Sequence, residues 1–216
     1  MNVALVVITD GRPDYLPQAL ASAEANLPAL TSRIMVDDSG IPGDDLPGWT
    51  CVRHPERRGI AAAVNSGWLA AVEVGAEWVF HLEDDFTFDA PVALDEMVAV
   101  LDAHPYLAQM LLPKQPWFHA DGTPGALFLE SDMVTPVPLD VHEEAGFVWT
   151  EHDRIFSFNP SLIPWRVFGD GFPDIGEEEF ACRLRDAGYR FAFWGRPDDP
   201  PQVTHIGLRR SEGWRT

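Results

Sequence analysis

Three carboxylates stand side by side in Glu83-Asp84-Asp85, directly after the apolar run Trp78-Val79-Phe80-His81-Leu82 and directly before Phe86 and Phe88. Adjacent like charges at the rim of a core repel one another, and the cost falls sharply when a cation sits among them. Carboxylate oxygens suit hard Mg2+ or Mn2+, which usually keep positions open for substrate phosphates. The same acids could instead serve a turn, bonding backbone amides and capping the helix that begins near Pro91. A second acidic pair, Asp37-Asp38 in "VDDSG", also closes a strand-like run, and Asp10 follows Thr9 at the end of another. A carboxylate in such a place can accept hydrogen bonds from a base N–H or ribose hydroxyls, or it can close a plain turn.

The elements that must position these acids are legible as alternating strand and helix signals. "NVALVVIT" is a continuous β-branched run, the pattern of a strand buried on both faces. "PDYLPQALASAEANL" carries helical spacing, "SRIMVDDSG" is a second strand, and "TCVRHP" is a third. "GIAAAVNSGWLAAVEVG" reads as an alanine-rich helix closed by Gly75, and "AEWVFHL" as the fourth strand. That βαββαβ order predicts an α/β fold with a largely parallel sheet and helices on its faces. A helix in "PVALDEMVAVLDAHP" and a strand in "YLAQMLL" follow, after which regularity is lost from Pro113 to about Trp149. Regularity resumes in "RIFSFNPSLIPWRVF", the helix "IGEEEFACRLRDAGY" and the strand "RFAFW", and the chain ends in a coil-like tail. In open α/β sheets ligands bind outside the carboxyl ends of the strands, where Thr9-Asp10, Asp37-Asp38 and the Glu83 triplet fall.

Composition narrows the partners. The formal charge is 15 − 34 = −19, which argues against general affinity for nucleic acid or an anionic membrane. A bound divalent metal or local arginines could still make one positive cleft for a small anion. The two cysteines, Cys51 and Cys182, lack metal-ligand spacing and fit a reduced protein. With no signal-peptide pattern and no integral membrane segment, a soluble cytoplasmic protein is expected. The solitary lysine, Lys114, reads as compositional bias.

Taken together, "VALVVITDGRPDYLPQALASAEANLPALTSRIMVDDSG", "RRGIAAAVNSGWLAAV" and "HLEDDFTF" resemble the nucleotide-binding half of the GT-A fold glycosyltransferases, most closely the family-2-like inverting enzymes. "GEEEFACRLRDAGYRFAFW" is similar to their later acidic helix, and the resemblance spans about residues 2–90 and 174–195. It implies a Rossmann-like, mostly parallel central sheet with a smaller acceptor-side β elaboration. It also implies one domain over 1–216, with a nucleotide-sugar-binding half at 1–112 and an acceptor-binding and catalytic half at 113–216.

Carried over by position, the resemblance implies that Thr9 and Arg12 line a base pocket and that Asp38 holds the base or ribose. Arg58 and Asn65 would flank the nucleotide, Gly67 reading as helix packing. The triplet corresponds to the DXD-type motif, with Asp85 a direct metal ligand and Glu83 and Asp84 reaching the metal or ribose less directly. In the acidic helix, Glu177 takes the place of the catalytic base, with Glu178 as the other candidate because Gly176 stands where the family has Glu. A carboxylate at a helix start can remove the acceptor's proton, or it can be a solvated first turn favoured by the helix dipole. Late-chain His205 would add an imidazole to the metal, although an isolated histidine is often structural. Arg209 and Arg210 could fold over a diphosphate or form a basic surface tail. Trp117 and Trp149 are acceptor candidates through ring stacking, set against ordinary core packing.

These expectations describe a Mn2+- or Mg2+-dependent hexosyltransferase taking a nucleotide-sugar donor, UDP-sugar favoured, to a glycan, protein or small-molecule acceptor. Two other readings stay open: a sugar-1-phosphate nucleotidyltransferase, and a non-catalytic GT-A domain that binds sugar nucleotide.

Overall fold

The structure, a computed structural model, describes residues 1–28, 30–114, 139–173 and 176–207. In chain order the elements are β1 (Val3–Thr9), α1 (Leu16–Asn26), β2 (Ser32–Asp37), β3 (Thr50–Arg53), α2 (Ile60–Glu73), β4 (Trp78–Glu83) and β5 (Phe86–Phe88). Then come α3 (Leu94–Ala103), β6 (Leu107–Leu111), β7 (Asp140–Glu144), β8 (Phe147–His152), β9 (Ser161–Pro164) and α4 (Trp165–Phe168). The last are α5 (Gly176–Asp186), β10 (Arg190–Trp194) and β11 (Val203–His205).

One nine-stranded sheet carries the order β3-β2-β1-β4-β9-β6-β10-β8-β7. Strands β1 to β4 pair in parallel, as do β6 and β10. β9 is wedged antiparallel between β4 and β6, and the β7–β8 hairpin extends the far edge. Within this sheet, β8 and β9 alone run against the other strands.

The continuous apolar run of β1 is explained by cover on both faces. Ala4, Val6 and Ile8 turn toward α2 and α5, packing with Val64, Trp68, Phe180 and Leu184. Val3, Leu5 and Val7 turn the other way, toward α1 and α3, with Ala23, Met97 and Leu101. Burying each such side chain is worth about 1.5–3 kcal/mol, so the central strands fix the frame on which the rim is built.

The tail departs from its expected coil. β11 pairs antiparallel with β5, setting His205 opposite Phe86, Thr204 opposite Thr87 and Val203 opposite Phe88. Thr204 adds side-chain hydrogen bonds of 3.0 Å to Asp89. Three-residue strands are too short to show a period, and the partner lies far off in sequence, so no local signal announced the pair.

Gly67 sits where α2 crosses β1 and β2. A Cβ there would stand 2.5 Å from Val6 Cγ1 and 3.2 Å from Val36 Cγ2. Gly67→Ala gains helix propensity of about 1 kcal/mol but overpacks the contact. A net loss of about 1–2 kcal/mol is expected by urea denaturation. Unchanged or raised stability would show that the helix can lift from the sheet at no cost.

Candidate active site

Register brings the acidic strand ends to one rim. Thr9 is level with Asp37, and Ile8 with Glu83. Asp84 and Asp85 lie just past the end of β4 and are 0% and 7% exposed. Thr9 Oγ donates to Asp84 Oδ2 at 2.5 Å and accepts from Gly11 N at 3.0 Å.

The cation among these acids is the Arg12 guanidinium. Its Nη1 donates to Asp85 Oδ2 at 2.8 Å, its Nη2 bonds Asp84 Oδ1, and its Nε lies 3.0 Å from Asp10 Oδ1. The planar fork thus spans the ends of β1 and β4, and it also faces the Tyr15 ring. Burial pushes the carboxyls upward, and the neighbours sort them. Asp84 is raised to about 6 by desolvation despite Thr9 and Arg12. Glu83, recessed and facing the charges of Asp85, Glu177 and Asp84, is raised to about 8. On Asp85 burial also pushes upward, but His205 and Arg12 together hold it below the usual carboxylate range. At pH 7 Asp84 and Asp85 are therefore the anions of the triplet, Asp84 paired with Arg12, and Glu83 is its neutral member.

The β5–β11 pair delivers His205 to this rim. Its Nε2 lies 3.3 Å from Asp85 Oδ2, and its ring is 4.8 Å from that of Phe86. Ile206 N donates to Asp85 O at 2.8 Å, and a Cβ on Gly207 would fall 2.4 Å from Asp85 Oδ2. The tail can approach the carboxylate this closely because residue 207 has no side chain. Asp85 Oδ1 is buried and has no hydrogen-bond partner among the described residues. A carboxylate with one oxygen lacking a donor fits Mn2+ or Mg2+, and the His205 imidazole beside its other oxygen favours Mn2+ of the two. Among the described residues no three His, Cys, Asp or Glu side chains form a ready-made cage. The described residues would thus contribute two ligands, leaving positions that phosphate oxygens and water could fill.

Asp38, expected at the base or ribose, is bonded within the chain. It is 6% exposed. Its Oδ1 is bonded by His54 Nδ1 at 2.5 Å and by Arg58 N at 2.9 Å, and its Oδ2 accepts from Gly59 N at 2.8 Å. His54 Nε2 continues to Ser66 Oγ at 2.8 Å. Asp38 thereby braces the turn into α2, where Gly59 needs a φ of +87°. Asp37, one residue earlier, is the partly exposed acid and accepts from Ser39 N at 2.9 Å. The Arg58 side chain is exposed beside this brace. Asn65 is committed to the chain's own backbone: Nδ2 donates to Phe172 O at 2.6 Å and Oδ1 accepts from Phe172 N at 2.8 Å.

On α5, Glu177 and Glu178 part company. Glu178 is exposed, while Glu177 is partly buried and its Oε1 accepts from Phe158 N. Burial raises the Glu177 carboxyl against the pull of Phe158 N, Ser157 and Lys114. Glu83 is within electrostatic reach of both Glu177 and Asp85, so the two ends of the candidate site are near one another. Lys114, read from composition as a bias, stands here with Nζ 5.8 Å from the Phe86 ring centre and 3.3 Å from Asn159 Oδ1. Trp149 packs inward at 1% exposure, stacked on His142 and donating to Glu151 at 2.9 Å, so it offers no free face to a sugar. Trp117, Arg209 and Arg210 lie outside the described residues.

Sequence reasoning placed Asp10 and Asp37 at the strand ends but gave them no individual role, and it read Lys114 only as composition. Asp10 beside Thr9, and Asp37 beside Asp38, were visible as acids at strand ends. What separates each from its neighbour is which way a side chain turns, and the sequence carries no sign of that.

No protein-family model matches the sequence. No curated protein matches it either. Solved structures do. PcManGT, a mannosyltransferase of Pyrobaculum calidifontis in complex with GDP-Man and Mn2+, is similar with a TM-score of 0.60 and 18% identity, over 91% of this chain and 55% of its own. S. aureus TarS 1-349 in complex with UDP-GlcNAc is similar with a TM-score of 0.62 and 13% identity, over 99% of this chain and 60% of its own. This chain spans little more than half the length of those structures. The fold is that of the GT-A-like glycosyltransferases. Among the described residues, no helix is long and apolar enough to cross a membrane.

Glu83 gives the rim a pH signature. Its carboxyl titrates near 8 in the fold against an ordinary 4.5. The fold therefore holds the proton more tightly than the unfolded chain does. Stability is fully present below the unfolded value and is lost as pH rises through about 8. Glu83→Gln is expected to flatten the fall in urea midpoint between pH 5 and 9, and an unaltered slope would place the burden on another group.

Proposed function

We propose that this protein is a metal-dependent, inverting glycosyltransferase that moves a hexosyl group from a nucleoside diphosphate donor to an acceptor hydroxyl. UDP-sugars are the first donors to try. The observation that carries the reading is a juxtaposition on a GT-A-like fold: the Asp85–His205 pair at the sheet's carboxyl rim, with the recessed carboxyl of Glu177 nearby. PcManGT and TarS, with GDP-Man and UDP-GlcNAc in their structures, add support for a donor of this class.

In this reading residues 1–112 bind the donor and 113–216 shape the acceptor side. Asp85 and His205 would hold the divalent ion, which when bound supplies positive charge to the departing diphosphate. Thr9 keeps Asp84 in place, and Asp84 with Asp10 keeps Arg12 at the rim, where its guanidinium can turn to an incoming anion. Asp37 takes the base or ribose, because it is partly exposed while Asp38 is buried and bonded through both oxygens to the turn before α2. The exposed Arg58 lies at the same end. Glu177 accepts the acceptor's proton as the hydroxyl attacks the anomeric carbon in line with the bond to the leaving phosphate. Glu177 is preferred to Glu178 because burial raises its carboxyl toward working pH, which favours proton abstraction. The acceptor is a glycan, a protein or a small molecule.

Release of nucleoside diphosphate from UDP- and GDP-sugars, followed with and without Mn2+ over an acceptor panel, tests the proposal. Glu177→Gln is expected to keep donor binding while turnover falls on the order of 10²–10⁴-fold. The acid limb of the wild-type pH–rate profile should lie above the ordinary glutamate range. Asp85→Ala should abolish the stimulation by Mn2+. Full turnover in chelator, or pyrophosphate release from a nucleoside triphosphate and a sugar 1-phosphate, would overturn the reading.

A further inference from the structure

The geometry points to Asn65 as a positioning residue for the catalytic carboxylate, a latch joining the donor half to α5, and not as a contact to the nucleotide. The inference rests on Glu177 acting as proposed above. Both halves of the Asn65 amide are engaged by one residue's backbone, Nδ2 to Phe172 O at 2.6 Å and Phe172 N to Oδ1 at 2.8 Å. A paired bond of that kind reproduces a strand ladder and fixes the height and rotation of the segment it grips. The partner backbone is shaped to receive it. Gly171 has a φ of +79°, and a Cβ there would fall 2.9 Å from Asn65 Oδ1. Any side chain at 171 would meet both backbone strain and the latch itself.

From Phe172 the contact runs to Glu177 through space. The Phe172 ring meets Phe158 edge-on at 4.8 Å and Phe180 of α5 at 5.1 Å. The backbone N–H of Phe158 is the donor that Glu177 Oε1 accepts. Trp68, one turn along α2 from Asn65, closes on the same group, 6.2 Å from Phe172 and 6.4 Å from Phe158. Side chains three apart share a helix face. One face of α2 therefore grips Phe172 by a polar pair and an aromatic ring, and Phe172 and Phe158 set where the Glu177 carboxyl stands. A general base misplaced by about 1 Å loses rate on the order of 10²-fold, so a residue far from the reacting atoms can control turnover in this way.

Two variants attack the latch from opposite sides: Asn65→Ala removes the amide, and Gly171→Ala pushes against it. Each is assayed for UDP·Mn2+ affinity by calorimetry, for kcat, and for amide hydrogen exchange at Phe172. Both are expected to lower kcat about tenfold or more, with UDP·Mn2+ affinity changed less than about threefold and Phe172 exchange faster. A Gly171→Ala chain alone suffices should Asn65→Ala fail to fold. Loss of UDP·Mn2+ affinity in Asn65→Ala with kcat kept and Gly171→Ala unaffected would make Asn65 a donor contact and overturn the inference. Unchanged exchange at Phe172 would also overturn it. A wild-type chain that turns over no donor sinks the proposed function instead, and the exchange readout still decides whether the latch exists.

Discussion

The rim depends on one interaction, a guanidinium held among carboxylates at the carboxyl ends of β1 and β4. Asp10, Asp84 and Asp85 converge on Arg12 in a place from which water is largely excluded. Three like charges gathered at a largely buried rim without a cation would push the strand ends apart or take up protons. Arg12 resolves part of that, and the raised carboxyl of Glu83 resolves another part by remaining neutral at pH 7. What is left over is Asp85, an anion with one oxygen bonded and the other lacking a donor. The unspent charge at the rim is concentrated there.

That residual negative charge is what ties the distant tail to the centre of the molecule. β11 lies beside β5, and the close passage at Gly207 lets His205 approach the Asp85 carboxylate from the solvent side. A chain of charge −19 can then bind a polyanion only where its own anions are matched. Arg12, Arg57 and Lys114 stand at this end, and in the proposed reading a divalent ion between Asp85 and His205 would complete the match. On the far side α5 holds Glu177 beside a shell of phenylalanines, and burial, not residue type, sets it apart from exposed Glu178.

Much of this was legible in the sequence, because buried strands and an alanine-rich helix leave strong periodic marks. The runs ending at Thr9, Asp37 and Glu83, and the helix over α2, stand where the spacing predicts them. The fold class, the acidic rim and the late acidic helix followed from order alone. The β5–β11 pair did not, since three-residue strands joined across the length of the chain have no local pattern. Nor did the burial of Asp38 beside a partly exposed Asp37, or the turn of Asn65 toward Phe172. Those depend on side-chain direction at a turn and on a backbone partner more than a hundred residues away. Trp149 was open to either reading in sequence, and its hydrogen bond to Glu151 sends it inward.

Calorimetric titration of UDP into the wild-type protein, with Mn2+ and with chelator, bears most directly on the idea that the rim is short of positive charge. The account predicts that UDP binds well only when Mn2+ is present. It further predicts that Mn2+ binding is tightened by UDP by the same factor, as linkage requires. Equal UDP affinity in chelator would contradict it, showing that Arg12 and its neighbours already balance the acids without help.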